Sequence, residues 1–168
     1  MKAMKYRQQR RAAYHEAAHA VARIHVGASP AGCEIRADGT GDTHGTGEPW
    51  RSASEGQYAA WEMLTYKLAG GYAEARVAKA SAAFIFMTAS KEDMESAQEV
   101  LIWLVKRRFA VDTDAAWLRA ENETRRFLRE RWADIERVAI ALIDQGRLEP
   151  TDVVGLVQTK LIPAPQRT

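Results

Sequence analysis

The sequence predicts a mainly α fold, a compact helical domain with a small β-hairpin or sheet beside its first long helix. Three observations carry this expectation. Apolar residues recur at three- and four-residue steps through four long stretches. Residues suited to helix capping bound most of those stretches. Only residues 32–48 break the pattern, with short alternating runs and five glycines.

Taken in order, residues from about Lys5 to Val26 form the first helix, with Gly27 as its C-cap and Pro30 beyond. Its basic run (Lys2, Lys5, Arg7, Arg10, Arg11) reads as a solvated face. Cys33–Ala37 reads as a strand, Asp38–Asp42 as a turn and Thr43–Thr46 as the returning strand. Ser52 with Glu55, and Ser54 with Gln57, have the capping-box spacing. The helix they open carries Tyr58, Trp61, Leu64, Thr65 and Leu68; Gly70-Gly71 either interrupts it or marks tight packing before Tyr72–Lys79. Residues 80–87 are apolar and have no assigned structure. Thr88 or Ser90 caps the next helix, which has Glu92 and Asp93 in its first turn and runs to about Phe109. Asp112-Thr113-Asp114 opens a helix that ends at Gly146, and Pro150 starts a short last one reaching about Thr159. The expected organisation is one domain over residues 1–160 and a loose tail over 161–168.

Composition narrows the function classes. A net charge of +2 over 168 residues supplies no bulk field toward nucleic acid. The single cysteine, Cys33, excludes an intrachain disulfide and a cysteine-based zinc cluster, and reads as a small buried residue. No apolar run reaches the roughly 18 residues of a membrane span, and the first residues lack the apolar core of a signal peptide. The expectation is an intracellular, cytoplasmic protein without a membrane anchor.

The chemistry concentrates at His15-Glu16-Ala17-Ala18-His19. On a helix, residues four apart share a face, so both imidazoles can hold one zinc ion, Zn2+, with Glu16 beside them as general base. Flanking alanines are strong helix formers and keep the face dry. A catalytic zinc needs a third protein ligand. His25 stands six residues beyond His19, but on an unbroken helix that is a rotation of about 600° and points it elsewhere. Glu62, Glu74, Glu92, Asp93, Glu95 and Glu99 are all formally available, and spacing alone does not choose among them.

Four segments, in order, resemble the peptidase domain of the FtsH family of ATP-dependent zinc proteases. Ala13–Val21 is similar to the family's A-x-H-E-A-G-H-A helix, Leu68–Glu74 to L-x-G-G-R-A-A-E, and Thr88–Ala97 to T-x-A-S-N-D-L-x-x-A. Arg126–Leu148 is similar to its C-terminal helices. The resemblance implies His15, His19 and Asp93 as zinc ligands and Glu16 as catalytic base. For such a peptidase, an extended substrate is expected beside the edge of the small sheet, at Thr43, His44, Gly45 and Thr46. His44 either steadies the oxyanion or is merely exposed. Ala18 replaces a family glycine, and Lys91-Glu92 replaces its asparagine with one residue inserted, which makes Glu92 a rival ligand. No G-x-x-x-x-G-K-[ST] motif is present, so hydrolysis is expected to be ATP-independent in this chain. The expected substrates are peptides, unfolded chains or proteins delivered by a separate ATPase or adaptor, including a single regulatory partner. The family's ring assembly implies possible homo-oligomers. The alternative is an interaction or regulatory module with weak or lost catalysis.

Overall fold

The computed structural model describes residues 2–44 and 56–157. Among them are six helices: α1 (Lys2–His25), α2 (Gly56–Ala78), α3 (Ala82–Thr88), α4 (Lys91–Lys106), α5 (Thr113–Gln145) and α6 (Pro150–Leu156). Three short strands, β1 (Gly32–Ile35), β2 (Gly41–His44) and β3 (Arg147–Leu148), form one antiparallel sheet in the order β2-β1-β3. The mainly α fold class with a small sheet is therefore observed. None of the described helices is long and apolar enough to cross a membrane.

α1 is the central element, and small side chains supply much of its buried face. Ala13, Ala17, Ala18, Ala20, Val21 and Ala22 are fully buried, and such short side chains let α2 and α5 approach closely. Larger side chains fill the space around it, with Leu64 and Leu68 from α2, Leu104 from α4, and Phe127, Ile135, Val138 and Leu142 from α5. Each contributes on the order of 1.5–3 kcal/mol by leaving water. Tyr14 stacks on Trp132 with ring centroids 5.5 Å apart, and the Arg76 guanidinium lies 3.8 Å from the Trp132 ring centroid. Within the basic run at the start of α1, Lys5, Arg7 and Arg10 are exposed as expected, whereas Arg11 turns inward.

The caps follow the sequence closely. Gly27 and Gly146 take left-handed φ values of +74° and +77° at the ends of α1 and α5. Asp112 accepts the Ala115 N–H at 2.7 Å, and Pro150 stands first in α6 with the Glu149 N–H donating to Asp152 at 2.9 Å. Several boundaries differ. α1 begins at Lys2, α4 stops at Lys106 rather than near Phe109, and α6 stops at Leu156 rather than near Thr159. The apolar residues 80–87 contain α3, capped by the Ser81 hydroxyl, which accepts the Phe84 N–H. The hairpin is tighter than expected: β1 is Gly32–Ile35 rather than Cys33–Ala37, and β2 begins at Gly41, inside the expected turn. Asp38 causes this, its carboxylate accepting both the backbone N–H (2.9 Å) and the hydroxyl (2.7 Å) of Thr40. The Ser52 and Ser54 capping boxes, Gly45, Thr46 and the tail after Val157 lie outside the described residues.

Gly70-Gly71 does not interrupt α2, which runs unbroken through both. Both positions mark tight packing. A Cβ on Gly71 would stand 2.4 Å from Cε1 of Phe86, in the buried contact between α2 and α3. Gly155, in α6, has nothing within 4 Å of such a position. Gly71→Ala is therefore expected to lower stability by about 1–3 kcal/mol through overpacking. Gly155→Ala is expected to raise it by up to about 1 kcal/mol through reduced chain entropy. Chemical denaturation of both variants against the parent checks the contrast.

Candidate metal centre

α1 sets His15 and His19 one turn apart on the face that meets α2 and the start of α4. Their rings stand edge to face with centroids 4.7 Å apart. Three atoms converge there. His15 Nε2 and His19 Nε2 are 3.1 Å apart, and Asp93 Oδ2 lies 3.1 Å from the first and 3.2 Å from the second. His19 is 4% exposed, and the other two are partly buried. Asp93 stands in the first turn of α4, so the inserted residue before it does not turn it out of the site. Glu92 is exposed on the wall of the cleft.

The outer ring nitrogens determine what those inner atoms are. His19 Nδ1 lies 2.8 Å from the Tyr66 backbone carbonyl, which can only accept, so Nδ1 carries the proton. His15 Nδ1 lies 3.2 Å from Glu74 Oε2 and 3.4 Å from the Ser90 hydroxyl. Glu74 is held in turn by Arg11, whose Nε and terminal nitrogen donate at 3.0 and 2.6 Å. Burial pushes the Glu74 pKa up, but His15 and Arg11 outweigh it and leave the carboxyl below its usual range. Glu74 is thus an acceptor too, and His15 takes the same tautomer. In neutral rings both Nε2 atoms then present lone pairs, and Asp93 Oδ2 presents a third. Three acceptors facing one another at such distances repel unless a cation, either a proton or a metal ion, lies between them.

The trio fits zinc. Tetrahedral ligands at about 2.0–2.1 Å stand about 3.3 Å apart, close to the separations seen here. Two imidazoles and one carboxylate also leave a fourth position free. The backbone provides the room: a Cβ on Gly70 would lie 2.4 Å from His19 Nε2 and 2.7 Å from His15 Nε2. With no ion between them, the same atoms favour a proton. Burial opposes charge on His15, yet its contacts with Asp93 and Glu74 hold its pKa up to about 10. Burial likewise opposes ionisation of Asp93, but the two histidines keep it far below the usual carboxylate range.

Glu16 is 7% exposed and lies beside the trio under β2. Thr43 Oγ1 donates to its Oε2 at 2.7 Å. Thr43 therefore reaches the site, on an edge strand as expected, but its side chain is committed to Glu16. His44 is not brought in. Alternation along β2 turns it to the opposite face, beside the carboxylates of Asp42 (3.4 Å) and Glu34 (3.8 Å), which argues against an oxyanion role. His25 is exposed with its ring 5.0 Å from Phe127, away from the trio. Cys33 is buried, and desolvation together with the charge of Glu16 pushes its thiol up to about 12, leaving it unreactive. The whole arrangement opens into a cleft of about 720 Å³ bounded by α1, residues 38–43, Tyr66, Lys67 and the start of α4.

Sequence reasoning does not supply the outer contacts. Glu74 stands among the candidate third ligands but serves the outer nitrogen of His15, and Ser90 makes no side-chain cap, its hydroxyl lying near that same nitrogen. Thr43 as the partner of Glu16, the Tyr66 carbonyl and Arg11 carry no local signal. Neither protein-family models nor curated proteins give a match to the chain.

The Glu74 contact generates a measurable expectation. Glu74→Gln is expected to weaken zinc affinity by about 10- to 100-fold, because the carboxylate that orients His15 and raises its basicity is lost. Competition with a chromogenic chelator measures the change.

Proposed function

We propose that the chain is a zinc-dependent endopeptidase of the FtsH-peptidase type, acting on extended or unfolded polypeptides. The observation that carries this reading is the triangle of His15 Nε2, His19 Nε2 and Asp93 Oδ2, with both outer ring nitrogens already engaged. A bound zinc ion supplies a Lewis-acid centre that acidifies water and polarises a carbonyl.

The chain's own residues do the rest. His15, His19 and Asp93 hold the ion. Glu74, through His15, and the Tyr66 carbonyl, through His19, keep each ring in the tautomer that offers Nε2. Glu16 accepts a proton from the attacking water and returns it to the leaving amine nitrogen, so the scissile C–N bond breaks as a C–O bond forms. A substrate strand lies along β2, the edge of the sheet, pairing backbone to backbone. Such pairing reads extended shape rather than side chains, which suits peptides, loosened segments and chains delivered by an ATPase or adaptor. Hydrolysis within these residues uses no nucleotide, and a cytoplasmic setting and self-association go with the reading.

Two substitutions separate chemistry from assembly. Glu16→Gln is expected to retain zinc while casein cleavage falls about 100- to 10,000-fold. His19→Ala is expected to lose both. Metal analysis and a fluorescent-casein assay read the two properties on the same samples. Cleavage that survives Glu16→Gln, or that is unaffected by chelator, would count against the proposal.

A further inference from the structure

Glu16 is fixed from two sides by β2. Thr43 Oγ1 stands 2.7 Å from Glu16 Oε2 and 3.2 Å from the Glu16 backbone carbonyl. A hydroxyl has one proton, and the shorter contact, to the side-chain oxygen, takes it. Gly41 lies against the rest of the carboxylate: a Cβ there would come within 2.5 Å of Glu16 Cγ and 2.8 Å of Oε1. Gly41 and Thr43 are two apart on one strand and so face the same way. The strand thus lays bare backbone against one side of the carboxylate and a hydroxyl against one oxygen. Cys33, the cross-strand partner of Thr43, is fully buried.

We propose that Thr43 is a positioning residue for Glu16: its hydroxyl holds Oε2 and leaves Oε1 to exchange the proton. This goes beyond a substrate-contacting role for Thr43 and rests on the zinc-peptidase reading. It makes β2 a bifunctional element, with the strand that receives the substrate backbone also setting the base. Pairing of a peptide along β2 and orientation of Glu16 are then coupled through a single residue.

The test compares Thr43→Val, which keeps the shape without the hydroxyl, with Thr43→Ser, which keeps the hydroxyl without the methyl. Zinc content and thermal midpoint are measured first, with Thr43→Ala as the substitute if the valine variant does not hold zinc. The expected result is full zinc loading in both, KM for a casein-derived peptide within about twofold of the parent, and kcat lowered about 10- to 100-fold in Thr43→Val. Thr43→Ser is expected to recover most of that loss. Equal kcat in Thr43→Val and the parent, or equal impairment in the valine and serine variants, overturns the proposal. A second readout needs no turnover. Crystals of zinc-loaded Thr43→Val are expected to show the Glu16 carboxylate rotated off Gly41, and an unchanged carboxylate overturns the proposal. A parent chain that binds zinc without cleaving any peptide sinks the peptidase reading instead, while the crystallographic comparison still decides whether Thr43 holds Glu16.

Discussion

The close approach of α1 and α2 at Gly70 is the constraint on which the rest of the site depends. The imidazole tips of His15 and His19 occupy the space that a side chain at that position would fill. Alanine at positions 13, 17, 18, 20 and 22 of α1 eases the approach from the other side. At Gly70 α2 presents only backbone, and the two rings of α1 fill the space against it. The rings are then squeezed into edge-to-face contact with their lone pairs directed at one point.

Around that point the polar groups form a layer drawn from three elements. α2 gives the Tyr66 carbonyl and Glu74, the start of α4 gives Asp93 with Ser90 just before it, and β2 gives Thr43. Arg11 links the layer to the more exposed part of α1, setting a cation behind Glu74 against Oε1, the oxygen that His15 does not engage. Buried ionisable groups are costly unless each has a partner, and here each partner has its own. No single helix can build such a chain of contacts.

What was legible in the sequence is what depends on local geometry. The His15–His19 pairing follows from helical rotation, and Gly27, Gly146, Asp112 and Pro150 mark ends by backbone chemistry acting within a few residues. The hairpin was read with its turn too long because five glycines blur a period-two pattern, and the Asp38–Thr40 contacts tighten it. α3 was unassigned because Ala82–Thr88 is too short and too uniformly apolar to show a period. β3, two residues long, gains its pairing only from β1. At the site, the motif names the two rings and the base, while the choice of acid depended on a family resemblance. The structure brings Asp93 to the rings and Glu74 behind one of them, contacts that span 78 and 59 residues and leave no periodic trace. Gly70 and Gly71 were ambiguous for the same reason, since the atoms they make room for belong to distant segments.

The geometry of Asp93 has a topological consequence. His19 and Asp93 are 74 residues apart in the chain, and the span between them holds β1, β2, α2 and α3. An ion shared by those two residues would act as a cross-link, closing a loop whose restriction in the unfolded chain is worth about 4 kcal/mol in the simplest entropic treatment. Metal occupancy and resistance to unfolding would then be one variable. Under the proposed function, a copy that had lost its ion would be a more easily opened chain, and so would come to resemble the material on which its neighbours would act.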